Sequence, residues 1–139
     1  GGGSVINTVS GAGLFPEHAG TSAYASAKAA VYAFTKVAAV EGAAHGIRVN
    51  AVSPLAVTRM SEAFFARSDP GGGDGLRPER VSVVVAFLAS SLAREVTGRV
   101  LRVEGGHVCE VFMDRTAGAE CGEWTPETLS ARSMEVLRA

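Results

Sequence analysis

The sequence predicts an α/β fold, a parallel sheet with helices on both faces. Three observations point there. Short β-branched runs alternate with long alanine- or valine-rich stretches of helical period. Glycine or proline punctuates nearly every boundary between them. The order along the chain is strand, helix, strand, loop, helix, strand, the pattern of strands joined by crossover helices.

Ser4-Val5-Ile6-Asn7-Thr8-Val9, bounded by glycines, reads as a buried strand. A polar stretch follows, Ser10 to Thr21, broken by Pro16 and Gly20. Ser22 to about Ala44 then reads as a long helix, with Thr21 or Ser22 to cap its start and Gly46 to give a left-handed exit. Its many alanines imply close packing on more than one side. Ile47 to Val52 is a second strand, ended by Ser53-Pro54. A loop runs to Leu76 with a short helix over Ser61–Arg67, and the run Pro70-Gly71-Gly72-Gly73-Asp74-Gly75 should be mobile. Pro78 with Glu79 opens a helix carrying Val81, Val84, Val85, Phe87 and Leu88. Val100 to Val103 is a third strand before Gly105-Gly106, and Thr125-Pro126-Glu127 starts a tail helix to about Leu137. Sheets of this kind bind ligands at the carboxyl ends of their strands. The loops holding Ser10, Pro54 and Gly105-Gly106 follow strand ends and should share one rim.

Composition narrows the function classes. The 139 residues are 47% hydrophobic and 19% charged with a net charge of −1, a globular balance without the basic footprint of a nucleic-acid or anionic-membrane binder. The apolar stretch from Val81 to Ala93 is too short for a membrane helix of roughly 20 residues. Two cysteines, Cys109 and Cys121, make no disulfide framework, and a reducing, cytoplasmic setting is expected. His18, His45 and His107 share no metal-ligand spacing, so no metal is expected. Cys109 reads as a small buried hydrophobe and Trp124 as packing for the tail helix. Arg59 reads as half of a surface ion pair, with a substrate phosphate or carboxylate as the alternative.

The strongest chemical signal is Tyr24-Ala25-Ser26-Ala27-Lys28. Residues four apart on a helix share a face. A phenol with an ordinary pKa of about 10 is a poor acid–base catalyst at neutral pH, and a neighbouring cation favours its phenolate. Lys28 also offers three donors to a sugar hydroxyl, and Ser10, upstream at a strand end, is placed to hydrogen-bond a substrate oxygen.

With Asn7-Thr8-Val9-Ser10 before it, Gly46-Ile47-Arg48-Val49-Asn50-Ala51-Val52-Ser53-Pro54 after it, and Val96-Thr97-Gly98-Arg99-Val100-Leu101-Arg102-Val103-Glu104-Gly105-Gly106 closing the series, this segment resembles the short-chain dehydrogenase/reductase family. The motifs stand in the family's order and spacing over about residues 4–106. Arg59-Met60, Leu76-Arg77-Pro78-Glu79 and the tail around Trp124-Thr125-Pro126-Glu127 are similar to one branch, which includes the (3R)-hydroxyacyl-CoA dehydrogenase domains of multifunctional β-oxidation enzymes. The resemblance implies a Rossmann-type oxidoreductase that moves hydride between NAD or NADP and an alcohol or ketone carbon. Tyr24 would be the general acid/base, Lys28 would hold the nicotinamide ribose and support the phenolate, and Ser10 would orient the carbonyl. Pro54, Leu55, Val57 and Thr58 would flank the nicotinamide, and residues 59–75 would form a substrate lid. The substrate would be a small alcohol or ketone, an acyl-CoA thioester among the options. The helix over 22–44, with Tyr32 and Lys36 outward, would be the contact between copies in a homo-oligomer.

The sequence departs from the family pattern at named places. Leu55 stands where a glycine usually follows the proline, Thr58 comes one residue early, and the span from Ser10 to Tyr24 is one residue longer. No G-x-x-x-G-x-G turn occurs, so the group that would cradle the pyrophosphate is missing from these residues. Residues 1–107 therefore read as the C-terminal half of a Rossmann domain and 108–139 as a C-terminal extension with a helical tail. The opening Gly1-Gly2-Gly3-Ser4 has neither an initiator Met nor a signal sequence and reads as a cut through something larger. Three readings stand at this point: a piece of a dehydrogenase, one half of a split heteromeric enzyme whose partner chain supplies the dinucleotide half, or a non-catalytic interaction module.

Overall fold

The computed structural model describes residues 1–15, 19–59, 61, 62, 65 and 75–137. Along the chain run β1 (Gly3–Thr8), a single helical turn α1 (Gly11–Leu14), α2 (Ser22–Ala43), β2 (Ile47–Leu55), α3 (Pro78–Ala89), a 3-10 turn (Ser91–Ala93), β3 (Val100–Glu104), β4 (His107–Glu110), α4 (Pro126–Ala131) and α5 (Ser133–Val136). The sheet order is β1-β2-β3-β4. The first three strands are parallel, with Thr8 opposite Val52 and Ala51 opposite Val100, and β4 returns antiparallel to β3. This is the expected α/β architecture, part of a Rossmann-like sheet.

Alternate side chains of the strands feed two cores. On one face Val9, Ala51 and Val100 pack with Tyr32 of α2. On the other, Val52 and Val103 pack with Val84 and Leu88 of α3. Each fully buried aliphatic side chain contributes about 1.5–3 kcal/mol. Polar groups finish the corners. Asn50 is fully buried. Its Nδ2 donates to the Val96 carbonyl at 2.8 Å and its Oδ1 accepts from the Arg99 N–H at 3.0 Å, which pins the connector into β3. Arg48 donates to the carbonyls of Leu88 and Ser90, covering the last turn of α3 with a cation where the helix exposes unpaired oxygens.

The structure corrects several expectations. β2 does not stop at Ser53-Pro54 but runs on to Leu55. Successive residues of a strand turn their backbone groups to alternate neighbours. The Ala51 N–H reaches Arg99 on the β3 side, whereas the Val52 carbonyl takes the Val9 N–H on the β1 side. Pro54 therefore turns its missing N–H toward β1, which has already ended at Thr8, so the ladder loses nothing. β1, expected to be buried, is half-exposed, because it is the edge strand among the described residues. A fourth strand, β4, was not expected. Gly105-Gly106 closes a two-residue hairpin between Glu104 and His107. Cys109, expected to be buried, lies on that outer strand and is partly exposed.

Tyr32 and Lys36 do not point outward. Tyr32 belongs to the buried face of α2, with Thr35, Ala39 and Gly42, and its hydroxyl accepts from the Met113 N–H. Lys36 donates to the Gly98 carbonyl at 2.6 Å. Beyond Tyr24, the large apolar side chains that α2 exposes are Phe34, Val37 and Val40. The tail helix is two short helices, broken at Arg132, whose guanidinium lies over Trp124 and bonds Glu120 and Glu135. That bond also holds the Glu135 carboxyl below the usual carboxylate range. Arg59 is exposed and makes no ion pair among the described residues. Of the helix expected over Ser61–Arg67 and the lid expected over 59–75, only Arg59, Ser61, Glu62, Phe65 and Gly75 are described; the remainder, with His18 and the Pro70–Asp74 run, lies outside the described residues.

Candidate active site

The rim is built by the loops that leave β1 and β2 and by the first turns of α2. Ser10 is the N-cap of α1, in an extended conformation, and its Oγ accepts from the Ala12 N–H at 3.3 Å. Its own proton stays available to a substrate oxygen. Gly13 of α1 is buried against α2. A Cβ there would stand 2.6 Å from the Ala29 nitrogen and 2.8 Å from the Lys28 Cβ, so only glycine allows the two backbones to touch. This contact locks the Ser10 turn onto the part of α2 that carries Lys28.

Lys28 lies one helical turn after Tyr24. Its Nζ donates to the Thr8 carbonyl at 2.9 Å, at the end of β1, and stands 5.8 Å from the centre of the Tyr24 ring. One of three ammonium protons is thereby spent on the scaffold, and two remain. Tyr24 is 53% exposed.

A cavity of about 800 Å³ opens at this rim. Ser10, Tyr24, Pro54, Leu55 and Thr58 line it, so five of the seven residues singled out in the sequence surround one space. Lys28 and Val57 are outside the lining. Lys28 stands beside the Tyr24 ring, and the Val57 N–H is bound to the Leu76 carbonyl at 2.8 Å, which fixes the strand exit to the start of α3. Sequence reasoning missed the far wall, formed by Pro78, Val81, Ser82, Val85 and Ala86 of α3. Their spacing of three and four residues marks one helical face, so the signal was present in the sequence. Missed too was a neighbouring cavity of about 690 Å³, which shares Ser10, Pro54 and Leu55 with the first and is completed by the unexpected hairpin through Arg102 and Cys109.

Comparison with known proteins decides the family. Residues 1–107 match the family described as enoyl-(acyl carrier protein) reductase. A hydroxyacyl-CoA dehydrogenase of Mycobacterium tuberculosis is 38% identical over 135 residues, which is 93% of this chain and 42% of the relative. The crystal structure of a short chain dehydrogenase from Mycobacterium avium superimposes with a TM-score of 0.74 at 34% identity, over 96% of this chain and 42% of that one. The chain belongs to the short-chain dehydrogenase/reductase family. A peroxisomal hydratase-dehydrogenase-epimerase of Neurospora crassa is also similar, 36% identical over 116 residues, 84% of this chain and 12% of that enzyme. The chain spans less than half the length of each of these short-chain dehydrogenase/reductase relatives. Among the described residues no helix is long and apolar enough to cross a membrane.

Proposed function

We propose that this chain carries the acid–base half of an NAD- or NADP-dependent oxidoreductase that interconverts a hydroxyl and a carbonyl. The observation that carries this reading is the meeting of Ser10 and Tyr24 at one cavity, with the Lys28 ammonium beside the phenol ring. Members of the family generally use NAD or NADP, and the residues present suit one end of such a dinucleotide. Lys28 retains two donors for ribose hydroxyls, and Pro54, Leu55 and Thr58 offer an apolar wall with one hydroxyl for the nicotinamide. The pyrophosphate end would be held by residues other than these 139, in the same polypeptide or in a second one, because no glycine-rich phosphate turn occurs here.

A bound nicotinamide supplies or accepts the hydride. The chain's own residues handle the proton. Tyr24 gives its hydroxyl proton to the substrate oxygen during reduction, or takes it during oxidation. Ser10 donates a hydrogen bond to the same oxygen and fixes its position. The Lys28 ammonium stands beside the phenol, 5.8 Å from the ring centre. The family resemblance points to a substrate among alcohols and ketones, and the hydroxyacyl-CoA dehydrogenase likeness favours an acyl thioester. The exposed Phe34, Val37 and Val40 of α2 support self-association along this helix.

Tyr24→Phe in the assembled protein tests the reading. Turnover should fall by about 10²–10⁴-fold, the usual worth of a positioned acid–base group, while dinucleotide affinity stays within a few-fold. Near-normal turnover would remove Tyr24 from the chemistry.

A further inference from the structure

The second cavity, beside the first, holds a cation that the reaction does not use. Arg102 enters it from β3. Its Nε donates to the Glu104 carboxylate at 3.2 Å, and its guanidinium carbon stands 6.0 Å from the centre of the Phe15 ring. The Nη1 end lies against Gly11, where a Cβ would come within 3.0 Å. Neither Nη1 nor Nη2 has a hydrogen-bond partner among the described residues. The guanidinium is thus held from two sides, by a carboxylate and by an aromatic face, with its terminal fork uncommitted. The carboxylate that does line the wall, Glu110, is occupied by Arg99 at 3.0 Å. Phe15, Leu55 and Phe112 make the rest of the lining largely apolar.

We infer that this cavity is an anion subsite for the substrate, in which the Arg102 fork binds a carboxylate or phosphate at the end of an apolar arm. The inference rests on the placement of the reaction at Ser10 and Tyr24. Ser10, Pro54 and Leu55 belong to both cavities, so one molecule can present its reacting carbon to Tyr24 and its anionic end to Arg102. Arg102 would then set specificity without touching the reacting atoms. A planar two-oxygen anion matches the fork bidentately, and the partly enclosed, apolar surroundings strengthen that pairing over one in open water.

The experiment is calorimetric titration of the assembled protein, without dinucleotide, at constant ionic strength. The probes are butanoate and inorganic phosphate, with chloride as the control. At least one probe should bind saturably; butanoate assigns a carboxylate-bearing substrate and phosphate a phosphorylated one. Arg102→Gln should weaken that binding at least tenfold. Glu104→Gln, which removes the competing negative charge beside the guanidinium, should tighten it several-fold, a change of opposite sign that loss of structure would not produce. No saturable binding of either probe, or unchanged affinities in both variants, overturns the subsite. Tyr24→Phe separates this from the reaction reading, since it should cost most of the turnover yet leave anion binding as in the wild type.

Discussion

Tyr24 is more than half exposed, whereas Asn50, a polar side chain inside the sheet, is fully buried. The division follows from what each must do. A group that exchanges protons with substrate has to stand at an open rim, and the polar groups behind it have to be satisfied internally. Asn50 and Arg48 meet that second condition through five bonds to backbone, counting the longer one from Arg48 to Val96. Both belong to the stretch that carried the family resemblance, and their work here is structural. Ser53 breaks the pattern. It is fully buried, and its Oγ has no partner among the described residues. An unpaired buried hydroxyl costs about 1–3 kcal/mol, and removing it relieves that cost. Ser53→Ala should therefore leave the denaturation midpoint unchanged or raise it, by up to about 1 kcal/mol in stability. A loss of 2 kcal/mol or more would mean that the hydroxyl has a partner in the folded protein.

At the scale of elements, the contact of α1 with α2 couples Ser10 to Lys28 through Gly13. Gly13→Ala must push the two backbones apart, since overpacking of this kind costs about 1–3 kcal/mol. A urea titration should show that loss. Dinucleotide affinity should fall with it, because Lys28 moves; unaltered affinity in a destabilised variant would uncouple the turn from the lysine. The element boundaries also show which physics a sequence displays. α2 was legible from end to end, and Gly46, with φ of 66°, closes it as expected. Its inward face was not legible. Alanine populates every side of the helix, so the periodicity does not say which side meets the sheet, and Tyr32 was turned the wrong way. β2 was cut short because proline normally ends a ladder, and only the length of β1 shows that this proline faces no partner. β4 was hidden in an apolar stretch although Gly105-Gly106 between two strand-like runs is a hairpin signal. The tail broke at Arg132 because neither α4 nor α5 buries a residue, and short helices without a packed face have no tertiary reason to merge.

For the whole molecule, three parallel strands, a returning fourth and helices on both faces carry one rim. Tyr24, Ser10 and the end of β2 meet there, as strand-end loops should. The candidate catalytic residues were singled out because a Tyr and a Lys four apart share a helix face and stand among motifs that resemble the family's. The Arg102 cavity was not, because it exists only once the strands are ordered and the hairpin has turned back. Lys28 links this rim to the proposed cofactor most directly. The decisive measurement is native mass spectrometry of the protein purified from its own source, titrated with NAD and with NADP, beside the same protein carrying Lys28→Ala. The account predicts an assembly that takes up one of the two dinucleotides and binds it at least about tenfold more weakly without the lysine, the loss expected for hydrogen bonds from a charged donor. An assembly that takes up neither dinucleotide, or binds it equally well without Lys28, would contradict the account.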